Sequence, residues 1–352
     1  MSYNTNSKLF SVLVSPLSLL WESVYRVRRF MFNYGLFKKN YFQIPIISIG
    51  NLTFGGTGKT PFTLWLSEYL GTMDKRVLVL MRGYKGKLEH GSGLLKSGAR
   101  LGYNPFEYGD EALLLARRLK NTFIAVGKKR SENLEHYFEE VSPDVVLLDD
   151  GHQHLKLSRN LNIVLFDSLM SLDRYKVAPS GYMREGFTAL KDAELVVLGR
   201  ADQVSRSKLD ELKKLILRFN RHLSFAEICY RPTGLFNISY EKVFDIDTFV
   251  GKNVICVAGI ASPSAFFKNI DMMGMNIIHQ ESYPDHHYFK TEEITRLLEM
   301  AEREDAYILT TEKDIVKIRR VADSERILYV EIKVHFLDGE EKTKQIISKA
   351  FN

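Results

Sequence analysis

Short apolar runs of strand length recur along the chain, at residues 44–49, 77–81, 145–148, 163–166 and 195–198, and longer helix-like stretches separate them. The best defined of these helices covers 62–70, with Leu64, Leu66 and Leu70 available for burial, and another covers 208–219. Strands alternating with helices predict an α/β fold built on a mostly parallel sheet covered on both faces. Residues 226–246 are turn-rich and β-like, and a second series follows, with strands at 254–258, 276–279, 307–310 and 327–330 and a helix over 292–304. The pattern predicts a first domain over 41–225, a β-like linker over 226–250, and a second, smaller α/β domain over 251–352.

Residues 1–40 read differently. The apolar stretch 9–21 is interrupted by Ser11, Ser15, Pro16 and Ser18 and is shorter than the ~20 residues of a spanning helix. Trp21-Glu22-Ser23 follows it where a secretory signal would have small residues for cleavage, so the segment is expected to stay in the mature protein. With Ser15 as a cap and Pro16 in the first turn, Leu17, Leu20, Val24, Val27, Met31 and Tyr34 recur at spacings of three and four, the stripe of an amphipathic helix. Arginines flank the stripe, and Phe30, Phe32, Leu36 and Phe37 add apolar bulk. On this pattern alone, packing on the protein's own core is favoured over lying in a membrane interface.

Composition narrows the class. A chain of 352 residues with 45% hydrophobic and 26% charged residues, 23 glycines and 9 prolines is a folded protein large enough for two cores, without the bias of disorder or of repeats. Cys229 and Cys256 lie far apart, which argues for a reducing compartment and against a zinc or disulfide framework. The net charge is +6, and the first 45 residues hold six basic side chains (Lys8, Arg26, Arg28, Arg29, Lys38, Lys39) against Glu22, or +5. Charge gathered at one aromatic-rich end suits an anionic membrane surface better than a nucleic acid.

The chemistry begins at Gly50-Asn51-Leu52-Thr53-Phe54-Gly55-Gly56-Thr57-Gly58-Lys59-Thr60-Pro61. Gly58, Lys59 and Thr60 fit the phosphate-loop pattern G-x-x-x-x-G-K-[ST], while Thr53 stands where its leading glycine belongs. Strand, glycine loop and helix form the required context. The main-chain amides of 53–60 would turn inward around phosphate oxygens, Lys59 would place a charge between the outer phosphates, and the Thr60 hydroxyl would ligate Mg2+. A second nucleotide element is expected at Asp144-Val145-Val146-Leu147-Leu148-Asp149-Asp150, a buried strand ending in two acids, one of which would hold the ion. The chain is thus read as a P-loop NTPase-like domain with a second α/β domain and an N-terminal amphipathic helix. The guanine-reading order is absent: Thr311-Glu312-Lys313-Asp314 has its lysine one place late. Phe54 occupies the position where dimeric deviant-Walker ATPases carry a lysine. Both features favour a kinase or another small-molecule phosphotransferase.

The loop closely resembles that of the tetraacyldisaccharide 4'-kinases of lipid A biosynthesis, a family that also has threonine in the first loop position. The resemblance runs along almost the whole chain, through Arg82-Gly83-Tyr84, Gly109-Asp110-Glu111, Asp149-Asp150-Gly151-His152-Gln153-His154, Arg184-Glu185, Asp285-His286-His287 and Thr310-Thr311-Glu312-Lys313-Asp314. Departures occur at Ala112, where the family usually has proline, at His152, where it has phenylalanine, and across 173–185, where the usual Gly-Asn-Gly and Pro-Ala-Gly-Pro-Leu-Arg-Glu stretches are altered.

The resemblance implies transfer of the γ-phosphate of ATP to the 4'-hydroxyl of an acylated glucosamine disaccharide 1-phosphate, giving the 1,4'-bisphosphate lipid IVA. It implies Asp110 as proton acceptor assisted by His286, with Lys59 on the phosphates. Asp149, Asp150 and His154 fall on the magnesium or nucleotide side, Arg184 and Glu185 on phosphate or magnesium, and Arg82 and Arg130 on substrate phosphate. Read without the resemblance, Asp110 would cap a helix. With Asp110 assigned to the first domain and His286 to the second, the pair would require domain closure. An acyl-anchored acceptor reverses the balance for the first forty residues and predicts a peripheral, monotopic enzyme at the cytoplasmic face of the inner membrane, with no nucleic-acid or required protein partner. The competing expectation is a membrane-associated P-loop ATPase switch without a sugar acceptor.

Overall fold

The computed structural model describes residues 14–98 and 103–351, so the first five residues of the apolar stretch 9–21 lie outside the described residues. In chain order the helices are α1 (Ser15–Asn33), α2 (Lys59–Thr72), α3 (Pro105–Tyr108), α4 (Asp110–Arg118), α5 (Arg130–Val141), α6 (Arg206–Leu217), α7 (Pro263–Met272), α8 (Thr291–Arg303), α9 (Glu312–Ile318) and α10 (Glu340–Lys349). The strands are β1 (Ile46–Asn51), β2 (Val77–Met81), β3 (Gly93–Lys96), β4 (Thr122–Val126), β5 (Val145–Asp149), β6 (Leu161–Asp167), β7 (Leu195–Gly199), β8 (Ser224–Asn237), β9 (Lys242–Phe244), β10 (Asn253–Ala258), β11 (Asn276–Ser282), β12 (Tyr307–Thr311) and β13 (Ile327–Asp338). The expected α/β class and parallel sheet are observed.

The chain divides into two compact units: Met1–Met81 with Lys129–Cys229 and Val334–Asn352, and Arg82–Lys128 with Tyr230–Lys333. This differs from the linear division expected at 225 and 250. Residues 82–128 and 334–352 change sides because units follow packing rather than chain order, and apolar periodicity reports burial without saying against which partner.

In the first unit, β1 lies between β5 and β6, with Ile46 beside Val146 and Ile49 beside Ile163, and the parallel order continues from β5 to β2 and from β6 through β7 to the start of β8. Every residue of β1, β2, β5 and β7 is buried, the continuous burial of a sheet covered on both faces. One face packs Val164, Phe166, Val196 and Leu198 against Leu209, Leu212 and Ile216 of α6. Parallel strands leave their carboxyl ends along one edge, where β1 runs into the glycine loop and β5 ends at Asp149.

The second unit has its own parallel set, β11-β10-β12-β13. It also holds the antiparallel pairs β3 with β4 and β8 with β9. Ile294, Leu297 and Ala301 of α8 and Ile315 and Ile318 of α9 pack with Ile255, Val257 and Ile308 to close one side of its core.

Helix α1 begins at Ser15 with Pro16 in its first turn, so Ser15 is the first helical residue and Val14 takes the capping position. Its polarity is inverted with respect to a core-packed helix. Ser18, Arg29 and Phe32 are buried, whereas Leu20, Val24 and Val27 are 57–65% exposed. Among the described residues no helix is long and apolar enough to cross a membrane.

Candidate functional site

The glycine loop leaves the end of β1 and returns into α2, whose cap is Gly58 in the left-handed region at φ +82°. Gly55 is also left-handed, at φ +94°, so both positions require glycine for backbone reasons. Thr53 is explained by the opposite geometry. It forms a β-bridge with Met183, the neighbouring Phe54 N–H donates to the Tyr182 carbonyl at 2.8 Å, and the Arg184 N–H donates to the Leu52 carbonyl at 2.6 Å. Extended backbone pinned to residues 182–184 accepts a β-branched residue readily, so the leading glycine of the ordinary pattern is not needed there. The Thr57 hydroxyl is held by Asn51 Nδ2 at 3.1 Å.

Lys59 opens α2 with its Nζ 3.4 Å from Asp150 Oδ1. Asp150 also accepts from Arg184 NH1 at 3.1 and 2.9 Å, and its main-chain carbonyl accepts from Arg130 NH1 at 3.1 Å. Burial opposes ionisation of Asp150, but the charges of Lys59, Arg184 and Arg130 outweigh it and hold the carboxyl well below the usual carboxylate range. Asp149 is buried and accepts from the Thr63 hydroxyl on α2 at 3.0 Å, which ties the end of β5 to the helix carrying Lys59. Three cations gathered around one strand-end acid favour a polyanion. The oxygen donors of Thr60, Asp149 and Asp150 are of the hard type that suits Mg2+ sharing its shell with nucleotide phosphates, so these residues fit the ion. Among the described residues no cluster of three His, Cys, Asp or Glu side chains forms a cage for a metal.

Other expected residues are engaged elsewhere. Glu185, expected near magnesium, is buried with Oε2 2.7 Å from Arg29 Nε and Oε1 3.0 Å from Arg29 NH2, and Oε1 also accepts from Gln153 at 2.8 Å. Its carboxylate ties α1 to the segment that follows Arg184. His154 is pushed down to about 3 by burial and by the charges of Arg130 and Arg159, and so remains a neutral imidazole. Arg82, in the second unit, donates to Glu89 at 2.6 Å and keeps a half-exposed side chain.

Asp110 and His286 lie in the same unit, so their pairing requires no closure between units. Asp110 starts α4 after Gly109, whose φ is +84°, and His286 is itself left-handed at φ +63°. His286 Nδ1 lies 3.0 and 3.1 Å from the two Asp110 oxygens. The Asp110 side chain also accepts from the Glu111 N–H at 2.9 Å and contacts Lys317 Nζ at 3.2 Å. Burial raises its proton affinity, yet His286, Lys313 and Lys317 prevail and hold the carboxyl well below its ordinary range. Asp110 is the first helical residue, with Gly109 in the capping position, and the helix start that favours an anion also presents its carboxylate to the imidazole.

Sequence reasoning gave Lys313 no role at this pair and did not name Lys317. Their spacing of four on α9 was the available signal, because it puts both ammonium groups on one helix face. Helix α9 is anchored at its start by Glu312, which is buried with Arg117 and Arg118 from the end of α4, Arg118 NH1 lying 2.7 Å away.

A parallel sheet, a left-handed glycine cap and a helix-opening lysine beside strand-end acids define a P-loop nucleotide-binding protein. A family model described as tetraacyldisaccharide-1-P 4'-kinase matches residues 10–352. The chain belongs to that family. It is 33% identical to the tetraacyldisaccharide 4'-kinase of Syntrophotalea carbinolica, covering 97% of this chain and 93% of the relative. It is 34% identical to that of Geobacter metallireducens, covering 92% and 94%. A crystal structure of LpxK from Aquifex aeolicus in complex with ATP matches 97% of this chain and all of that one, with a TM-score of 0.77 at 28% identity.

Proposed function

We propose that this protein transfers the γ-phosphoryl group of ATP to the 4'-hydroxyl of a tetraacyldisaccharide 1-phosphate, forming the 1,4'-bisphosphate of lipid A biosynthesis. The observation that carries this reading is Lys59 at the start of α2, held 3.4 Å from the strand-end carboxylate of Asp150 behind a loop with two left-handed glycines. The loop amides and Lys59 bind the β- and γ-phosphates, and Arg184 and Arg130 keep the strand-end acid in place. Magnesium, held by Thr60 with Asp149 and Asp150, supplies charge neutralisation on the phosphate oxygens when bound. The acceptor hydroxyl gives its proton to Asp110, its oxygen forms the new bond to the γ-phosphorus, and the bond to the β-phosphate oxygen breaks to leave ADP. His286 orients the Asp110 carboxylate through Nδ1. A carboxylate held this strongly ionised is a weak base, which suits a loose transition state in which the hydroxyl proton departs late.

The test is turnover of the acylated disaccharide with ATP and Mg2+. Asp110→Ala and His286→Ala are expected to lower kcat by about 10²–10⁴-fold with ATP binding retained. Unchanged turnover in both would remove the catalytic pair. ATP hydrolysis of equal rate with and without acceptor would instead favour a nucleotide-driven switch.

The inverted polarity of α1 supports peripheral attachment at an anionic membrane surface, at the cytoplasmic face where the acyl chains of the substrate reside. Leu20, Val24, Val27 and Phe30 form an exposed apolar face, with the basic residues Arg26 and Lys38 also exposed and Lys39 partly exposed nearby in sequence. Co-sedimentation with vesicles containing anionic phospholipid is expected for the intact chain and is expected to be lost in Leu20→Glu/Val24→Glu. Equal sedimentation of the two proteins would end this reading.

A further inference from the structure

His286 presents its two ring nitrogens to groups of opposite charge. Nδ1 faces the Asp110 carboxylate at 3.0 Å, and Nε2 faces Lys313 Nζ at 3.2 Å. An ammonium group has three donors and no acceptor, so it can meet a ring nitrogen favourably only where that nitrogen carries a lone pair. The remaining ring proton then sits on Nδ1, where the carboxylate accepts it. From this geometry we propose that Lys313 is a positioning residue that fixes His286 as the neutral Nδ1–H tautomer, aiming its single proton at Asp110 and keeping Nε2 unprotonated.

The surrounding charges show why a lysine is needed for this. Asp285, in the same loop, places Oδ2 3.7 Å from His286 Nε2 and would draw a second proton onto that nitrogen. Lys313 intervenes by taking Asp285 Oδ1 at 3.1 Å, and its Nζ also lies 3.6 Å from Glu111 Oε1 on α4. Lys317 on the same face of α9 reaches Asp110 at 3.2 Å and Asp314 at 2.9 Å, so it serves the carboxylate rather than the imidazole. From the remaining side, the Tyr84 ring packs edge-on to the imidazole at 5.2 Å and Lys85 donates to the Asp285 carbonyl at 3.0 Å. Burial works against the Lys313 charge, but Glu111, Asp110 and Asp285 outweigh it and keep the ammonium protonated. Removing the lysine would take a cation from Nε2 and release Asp285 to accept from it. His286 would then become an imidazolium between two carboxylates, neutralising the negative charge on which Asp110 depends as an acceptor.

The effect on rate rests on Asp110 and His286 forming the catalytic pair, whereas the tautomer does not, so two measurements separate them. Nitrogen NMR of the full chain labelled with ¹⁵N-histidine, assigned with His286→Gln, is expected to show Nδ1 protonated and Nε2 unprotonated near neutral pH. In Lys313→Met both nitrogens are expected to be protonated. A protonated Nε2 in the unaltered chain overturns the proposal without any reference to activity. In turnover, the acidic limb of the kcat profile for Lys313→Met is expected to move to higher pH by about one unit or more, with KM for ATP little changed, and Lys313→Arg is expected to show little of that shift. A uniform loss across pH, or a profile superimposable on that of the unaltered chain, overturns the positioning role. The NMR change combined with full activity in His286→Gln would leave the tautomer assignment standing and defeat the catalytic reading instead.

Discussion

His152 stands where the family usually has phenylalanine, and it is completely buried. Burial first, and then the charges of Arg29 and Arg159, push its proton affinity well below that of a free imidazole. Its backbone also explains Gly50, because a Cβ there would come within 2.7 Å of the His152 main-chain nitrogen. A neutral buried histidine makes stability depend on pH in a definite direction. The unfolded chain takes up a proton below about pH 6.5 and the folded one resists, so stability is intact above that pH and declines as pH falls. His154, pushed down to about 3, acts in the same sense. His152→Phe is expected to flatten the acid-side decline, by up to about 2 kcal/mol at pH 5, in urea unfolding followed across pH. An unaltered slope would mean that this imidazole protonates in the folded state.

At the scale of elements, α1 is joined to the nucleotide unit by polar contacts. Arg29 meets Glu185, Asp192 at 2.9 Å and the His152 carbonyl at 3.2 Å, while Trp21 Nε1 donates to the Arg184 carbonyl at 2.9 Å and Ser18 Oγ to Ser180 Oγ at 2.8 Å. A helix with its apolar residues committed outward must be held by such contacts, since little hydrophobic burial is left to hold it. Arg29→Met leaves Glu185 buried without its ion partner and is expected to cost about 3–5 kcal/mol, measured by denaturant unfolding. Adding Glu185→Gln is expected to recover part of the loss, and a fully additive double variant would show that the two do not interact. The stripe of α1 was legible from its spacing. Which side of the helix faced the protein was not, because an amphipathic pattern has the same period whether a core or a lipid interface receives it.

For the whole molecule, the C-terminal segment Val334–Asn352 belongs with the nucleotide unit although it follows the second unit in sequence. Phe336 packs on Trp65 of α2 with ring centroids 4.7 Å apart, and Gly339, at φ +80°, lies against the Phe225 carbonyl, where a Cβ would come within 2.5 Å. Phe336→Ala is expected to lower the melting temperature and red-shift the emission of Trp65, best read in a Trp21→Phe background because the chain has two tryptophans. Unchanged emission would mean that the terminal segment does not cover α2.

The sequence by itself determined the parallel strands, the phosphate loop with its lysine and acids, and the family, because these depend on local periodicity and on residue types at short spacing. Only the tertiary structure decided that residues 82–128 join the second unit, bringing Asp110 to His286 within one body. It also decided that Glu185 serves Arg29 and that α9 turns two lysines toward the pair. Those outcomes depend on which distant side chains neutralise one another after burial, a matter of three-dimensional charge balance that has no period along the chain.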